Sequence, residues 1–339
     1  MRFNFEATGI GSVPFRDTKE ACSLIFENFK TIPFWPQLPR RSFLESMYAQ
    51  YSEQLPGVVI DEKSRSIHLE KSGVAETAEE IYRNYLDGNV EFFRISENFA
   101  EGFYEFLDTL KSVPAGVKYV KGHTTGPISY ALTVTDENKR AIIYDRDLFE
   151  MLTKMLCMKA KWQIRKLKKS FPAVMIFIDE PYLVSIGSSF ININIQDAFA
   201  ALDEVIAAIK SEGALAGLHC CGNTDWPLLL KRDLDILNFD SYSFVKEFLL
   251  YGADVKAFLA RGSAIAWGIV PSSEDSERET GKAIAERLRD GLKMLSDKGI
   301  SKEAVSSIVT PSCGVGTLDE SRAKKVLELT RIVSSNMQK

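Results

Sequence analysis

The segment Gly217-Leu218-His219-Cys220-Cys221-Gly222-Asn223 sets an imidazole and a thiol two residues apart. At the end of an extended strand that spacing points both side chains to the same side. Cys313, in Thr310-Pro311-Ser312-Cys313-Gly314, adds a second thiol at the close of another short apolar run. Two thiolates and one imidazole suit Zn²⁺, and three protein ligands leave a fourth position open, as catalytic zinc sites do. Asp240 closes the run that follows the His-Cys pair and is a candidate fourth, displaceable oxygen ligand. Taken singly, Cys220 or Cys221 reads as a small buried apolar group, which free cysteine often is. The whole constellation reads as a metal site. Cys220 is expected to point away from it, and Cys22 and Cys157 to pack within helices.

Other run ends carry polar chemistry too. Asp179-Glu180-Pro181 closes Val174-Met175-Ile176-Phe177-Ile178, and the proline stops the strand with two acids at its mouth. Asp179 is suited to a substrate ammonium, while Glu180 fits either that role or a cap on the following helix. Gly9-Ile10-Gly11-Ser12 offers a hydroxyl and free N–H groups to an anion such as a carboxylate. Alone this is a weak signal, because glycines also end strands for backbone reasons. His123, in Gly122-His123-Thr124-Thr125-Gly126-Pro127, reads as a pocket-lining group, and His68 as solvated.

The elements that must position these residues alternate down the chain. Short apolar runs fall at Thr8–Ser12, Ile32–Leu38, Val117–His123, Val174–Asp179, Ala214–His219, Ile236–Asp240, Ala264–Ile269 and Ser307–Thr310. Asp147–Lys169 places Leu148, Met151, Leu152, Met155, Trp162, Ile164 and Leu167 near one helical face, with Lys159 and other basic residues elsewhere. Asp197–Glu212, Ser276–Lys298 and Leu318–Asn336 repeat that pattern. Such alternation implies parallel strands joined by right-handed crossovers. Eight candidate strands predict a (β/α)₈ TIM barrel, with an open doubly wound sheet as the alternative. In a barrel the working residues gather at the carboxyl ends of the strands, which is where the acids, imidazoles and thiols lie. Val58–Asp61 and Ser66–Leu69 break the alternation as a β-hairpin, and helical sequence follows through Phe103–Leu110. Residues 53–112 are therefore expected to be an insertion between strands two and three of one barrel spanning 1–339.

With 42 Lys+Arg against 46 Asp+Glu the net charge is −4, which argues against electrostatic binding to nucleic acid or a membrane surface. Met1-Arg2-Phe3-Asn4-Phe5-Glu6 lacks the apolar run of a signal peptide, and no stretch approaches a bilayer span. An odd count of 5 scattered cysteines reads as reduced thiols in a cytoplasmic protein.

The set Ile10-Gly11-Ser12, Val120-Lys121-Gly122 with Thr125-Gly126-Pro127, Ile178-Asp179-Glu180-Pro181, His219-x-Cys221 and Pro311-x-Cys313-Gly314 resembles the carboxyl-terminal catalytic barrel of cobalamin-independent methionine synthase. That barrel belongs to a superfamily shared with uroporphyrinogen decarboxylase and the zinc thiol methyltransferases of methanogens. The resemblance runs in order from about residue 8 to residue 335. It implies zinc on His219, Cys221 and Cys313, with Asp240 at the position of the family's glutamate ligand. It implies that Ile10 through Ser12 hold an amino-acid carboxylate and that Asp179 holds its amino group. Gln37, in Trp35-Pro36-Gln37-Leu38-Pro39, stands where the family places a second acid for that amino group.

Three departures bear on the donor. The amino-terminal barrel of the full-length enzyme has no counterpart here. The aromatic residue expected shortly after the Gly-Pro turn is replaced near Thr133, and the histidine after strand seven is missing from Trp267-Gly268-Ile269-Val270-Pro271. The expectation is a zinc-dependent methyltransferase acting on a small thiol, homocysteine first, with a methylated corrinoid, on a partner protein, in place of folate. The alternatives are a coenzyme M-type or other thiol methyltransferase, a metal-free decarboxylase of the porphyrin type using Arg40-Arg41, and a non-catalytic zinc scaffold.

Overall fold

The computed structural model describes residues 2–112, 115–186 and 191–339. Among the described residues ten strands occur in chain order: β1 (Asn4–Ala7), β2 (Val58–Asp61), β3 (Ser66–Leu69), β4 (Val120–Thr125), β5 (Thr135–Asp136), β6 (Val174–Asp179), β7 (Leu215–Cys220), β8 (Ile236–Phe239), β9 (Ala264–Val270) and β10 (Ser307–Pro311). Seven form one curled parallel sheet in the order β1-β10-β9-β8-β7-β6-β4, with helices outside it. The architecture is a TIM-like barrel that strand ladders do not fully close.

The eighth stave is the segment predicted as a strand over Ile32–Leu38. It reaches β4 through a parallel bridge between Phe34 and Lys121, and the end of the first run through one between Ser12 and Gln37. No ladder forms because Pro33 and Pro36 interrupt the segment, and proline has no N–H to donate. The first strand also lies earlier than predicted, at Asn4–Ala7. Thr8–Ile10 takes no regular structure, Gly11 is a bend and Ser12 keeps only its isolated bridge, consistent with the low strand preference of Gly9 and Gly11.

Inside the sheet, Phe3, Ile32, Met175, Phe177, Ile236, Ala264, Ala266 and Ile308 pack as one apolar cluster. Because side chains alternate along a strand, the next inward positions above that floor are Asp179, His219, Asn238 and Thr310. The layer toward the strand carboxyl ends is thus polar where the layer beneath is apolar. The larger core lies between the strands and the outer helices.

The helix Arg146–Lys168 starts where Asp145 accepts a hydrogen bond from Leu148 N, and the predicted stripe from Leu148 to Leu167 is buried. Lys159 departs from the amphipathic reading. It is fully buried and donates to Gln54 Oε1 at 2.7 Å, because the segment after residue 53 covers that face. The helices Ile195–Ser211 and Glu320–Met337 match the other predicted runs within two residues at each end, while Gly281–Asp297 starts five residues later than the predicted Ser276.

The hairpin occurs as expected, and Asp61 Oδ1 builds its turn by accepting from Lys63 N at 2.8 Å and Ser64 N at 3.2 Å. It extends into a three-stranded sheet, β2-β3-β5. Residues 53–112 are not uniform. The helix Glu101–Thr109 joins the outer layer, with Phe106 stacked on Phe26 at 5.3 Å and Phe103 edge-on to Trp35 at 5.5 Å.

Candidate metal centre and substrate pocket

His219 is the last inward residue of β7, and Cys221 follows immediately beyond the strand end. Cys313 lies two residues past the end of β10. The fold brings them together: a ring nitrogen of His219 and the sulfurs of Cys221 and Cys313 all lie within 4.8 Å of one another. His219 is buried, whereas both thiols are partly accessible. Such a group can receive a ligand from the mouth of the barrel.

Two features of this cluster fit zinc. The donor set, one nitrogen and two sulfurs, is what Zn²⁺ prefers. The second is that His219 Nε2 is buried and has no hydrogen-bond partner among the described residues, while Nδ1 donates to Asn238 Oδ1 at 2.5 Å. Buried polar atoms normally find partners, so an orphaned nitrogen beside two thiols is a donor atom free to take a cation. The adjacent Cys313 thiol, and after it the nearby His219 ring, hold the Cys221 thiol down to about 4. Burial opposes charge on His219, but the Cys221 thiol and Asp179 outweigh it and raise its pKa.

The remaining cysteines stand apart. Cys220 is buried, approaches the Gly222 carbonyl at 3.6 Å, and burial lifts its thiol to about 12. Cys22 and Cys157 are buried in helices, and burial raises both well above the thiol range.

Asp240 does not join the mutual cluster. Its Oδ1 accepts from Ser243 N at 2.9 Å and caps the helix Ser241–Leu249. The shorter aspartate side chain therefore serves the helix N-terminus, where a carboxylate also meets the positive end of the dipole. Burial raises its pKa, and the nearby Cys221 adds to the rise.

Asp179 closes β6 in register with His219 on β7. One of its carboxylate oxygens is buried without a hydrogen-bond partner among the described residues. Burial pushes its pKa up to about 6, against the opposing pull of His219 and Lys121. Glu180, by contrast, is committed to structure. Its oxygens accept from Ile128 N at 2.9 Å, Ser129 N at 2.8 Å and Ser129 Oγ at 2.5 Å, at the start of the helix Pro127–Thr133. It caps a helix, as one of its two readings anticipated, but the helix after β4 and not the one after its own strand.

The Ile10–Ser12 segment borders both the His219, Cys221 and Cys313 group and His123. A Cβ on Gly314 would fall 2.2 Å from Ser12 Oγ, and one on Gly11 would fall 2.9 Å from His123 Nδ1. No larger residue fits either place without movement. Lys121, fully buried, donates to the Ile10 carbonyl from below and lies 4.5 Å from the centre of the Phe177 ring. Burial lowers its pKa to about 8, with Asp179 acting the other way. His123 stacks on Trp35 with ring centres 3.8 Å apart, and neither ring nitrogen has a hydrogen-bond partner among the described residues. Burial, and after it the Lys121 charge, lower its pKa well below the ordinary imidazole range. Gln37 is oriented by donating through Nε2 to Gln50 Oε1 at 2.8 Å, and Gln50 donates to the Phe99 carbonyl at 2.7 Å.

Two residues were not singled out from sequence. Asn238 interrupts Ile236-Leu237-Asn238-Phe239 with a buried amide, and Lys121 puts a charge inside a buried strand. A polar group in a short buried strand must be paired to be tolerated, and that is the signal each carried. Arg41, offered for a porphyrin carboxylate, is instead paired with Glu45 and Glu101, while Arg40 donates to the Thr317 carbonyl at 2.8 Å.

No family model matches the chain, and no curated protein does. Among solved structures it is similar to a B12-independent methionine synthase from Shewanella sp. W3-18-1, solved in complex with selenomethionine. The likeness has a TM-score of 0.58 and 14% identity, covering 98% of this chain and 97% of that chain. It shows a shared fold along the whole of both chains. Among the described residues no helix is long and apolar enough to cross a membrane.

Proposed function

We propose that this protein is a zinc-dependent methyltransferase that transfers a methyl group to a small thiol, homocysteine first among the candidates. The observation that carries the proposal is the convergence of His219, Cys221 and Cys313, from two strand ends, within 4.8 Å. The fold shared with a B12-independent methionine synthase supports it. In this reading His219, Cys221 and Cys313 hold the ion and Asp240 acts beside it as a helix cap. The whole of 1–339 is one barrel unit with the hairpin region as an insertion.

Zinc, when bound, supplies the Lewis acidity that keeps a coordinated thiol deprotonated near neutral pH, where a free thiol of pKa about 8.5 is mostly protonated. The chain's own residues do the rest. Asp179 offers an unpaired, buried carboxylate oxygen to the substrate ammonium. The backbone of Ile10–Ser12 and the Ser12 hydroxyl receive the substrate carboxylate, and Lys121 braces that turn from below through the Ile10 carbonyl. Fixing both ends of an amino acid leaves its thiol one direction to point, toward the cluster. Held there, thiol and incoming methyl reach near-attack geometry, which is worth several kcal/mol of barrier, about 7–11 in well-oriented cases. The donor proposed is a methylated corrinoid, presented by a partner protein: the thiolate sulfur would form the new S–CH₃ bond as the Co–CH₃ bond breaks, the electron pair leaving with the corrinoid as its cob(I) form.

Purified protein supplied with zinc, homocysteine and methylcobalamin should form methionine. It should contain zinc, which Cys313→Ser should lose. X-ray absorption should detect one more sulfur around the metal after homocysteine is added. A zinc-loaded protein that makes no methionine, with an unchanged sulfur shell, refutes the catalytic reading in favour of a scaffold. A wild type that binds no zinc refutes it altogether.

A further inference from the structure

Asn238 is the inward residue of β8 and is fully buried. Its Nδ2 donates to the Ala266 carbonyl on β9 at 2.8 Å and to Thr310 Oγ1 on β10 at 2.8 Å. A backbone carbonyl can only accept, so the NH₂ end must face β9 and the amide has one permitted orientation. That orientation turns Oδ1 toward His219 Nδ1, 2.5 Å away on β7. An amide oxygen can only accept, so Nδ1 must carry the proton.

A neutral imidazole has one protonated nitrogen and one with a free lone pair. With Nδ1 protonated, the lone pair belongs to Nε2, the nitrogen that lacks a partner among the described residues. We infer that Asn238 is a positioning residue that locks His219 in the Nδ1-protonated tautomer and so presents Nε2 to the metal. The inference rests on the proposed metal site and adds to it the residue that prepares its imidazole.

The same amide aligns the two ligand-bearing strands. It touches β7 through His219, and β10 through Thr310, three residues before Cys313. A shift of one strand would break a bond to the other. Its neutrality also matters, because a carboxylate here would oppose the Ala266 carbonyl and add negative charge beside two thiolates. An amide orients the ring without either cost. Partners of this kind typically change metal affinity 10–100-fold when removed.

The test uses the full chain, stripped of metal and labelled with ¹⁵N-histidine. With 3 histidines in the sequence the imidazole signals are few. Spectra are recorded at a pH where the ring is neutral, for wild type, Asn238→Leu and Thr310→Val, and zinc affinity is measured by chelator competition. Wild type is expected to carry the His219 proton on Nδ1. Asn238→Leu should lose that preference and bind zinc about 10–100-fold more weakly. Thr310→Val should keep the tautomer, since the Ala266 carbonyl still orients the amide. A wild-type proton on Nε2 overturns the inference, as does Asn238→Leu retaining both the tautomer and the affinity. If Asn238→Leu does not fold, the wild-type and Thr310→Val spectra decide. A protein that binds no zinc refutes the metal site, whereas the metal-free spectrum judges Asn238 separately.

Discussion

Replacing Glu180 separates a structural carboxylate from a substrate ligand. The side chain is fully buried and takes three hydrogen bonds from Ile128 and Ser129. Glu180→Ala strands two backbone N–H groups at the start of the helix Pro127–Thr133. Each unsatisfied buried group costs about 1–3 kcal/mol, so the loss is roughly 2–6 kcal/mol. An opposing effect depends on pH. Burial raises the Glu180 pKa from 4.5 to about 7. The folded state therefore binds this proton more tightly than the unfolded state. That stability is fully present below pH 4.5 and is lost as pH rises through 7, a change of about 3 kcal/mol at 1.36 kcal/mol per pKa unit. The alanine variant has no such dependence. Its cost should be greatest near pH 5 and smaller, by as much as about 3 kcal/mol, at pH 8. Urea unfolding of both proteins at the two pH values measures this directly. Equal stabilities at both pH values, with a raised KM for homocysteine, would refute the capping role and restore Glu180 to the substrate pocket.

Asp179→Asn keeps the side-chain shape but removes the charge that the proposed function sets against a substrate ammonium. KM for homocysteine should rise roughly 10- to 100-fold, the worth of a charged hydrogen bond, while zinc content holds. For the wild type, the carboxyl at about 6 means that KM should climb as pH falls below that value. A flat KM profile, or an unchanged KM in the variant, removes Asp179 from the pocket. Cys220→Ser should retain a full equivalent of zinc and Cys221→Ser should not, because only Cys221 stands in the metal cluster. Equal zinc loss from both would place Cys220 at the metal as well.

Much of the fold was legible because its signals are local. The short apolar runs Val174–Ile178 and Ala214–His219, and the acids and thiols that follow them, are each visible within a few residues. The hairpin at Val58–Leu69 was equally plain, since an Asx turn is made by neighbouring atoms. Ile32–Leu38 misled for the opposite reason. Its branched and aromatic residues are strand-like, yet the prolines among them matter only where a neighbouring strand needs a donor.

The site divides along the same line. Residue types and spacing by themselves determined that His219, Cys221 and Cys313 suit zinc, because ligand chemistry belongs to the side chain. Only the tertiary structure decided which polar groups are free and which are already bound. Glu180 and Asp240 look like ligands in sequence and are helix caps in space, since the N–H groups they satisfy come into reach only on folding. Asn238 looks like an oddity in a short strand and is tied in space to three partners on three different strands. A hydrogen bond needs its two atoms within about 3 Å. Residues 19, 28 and 72 positions apart meet that condition only after the sheet has curled.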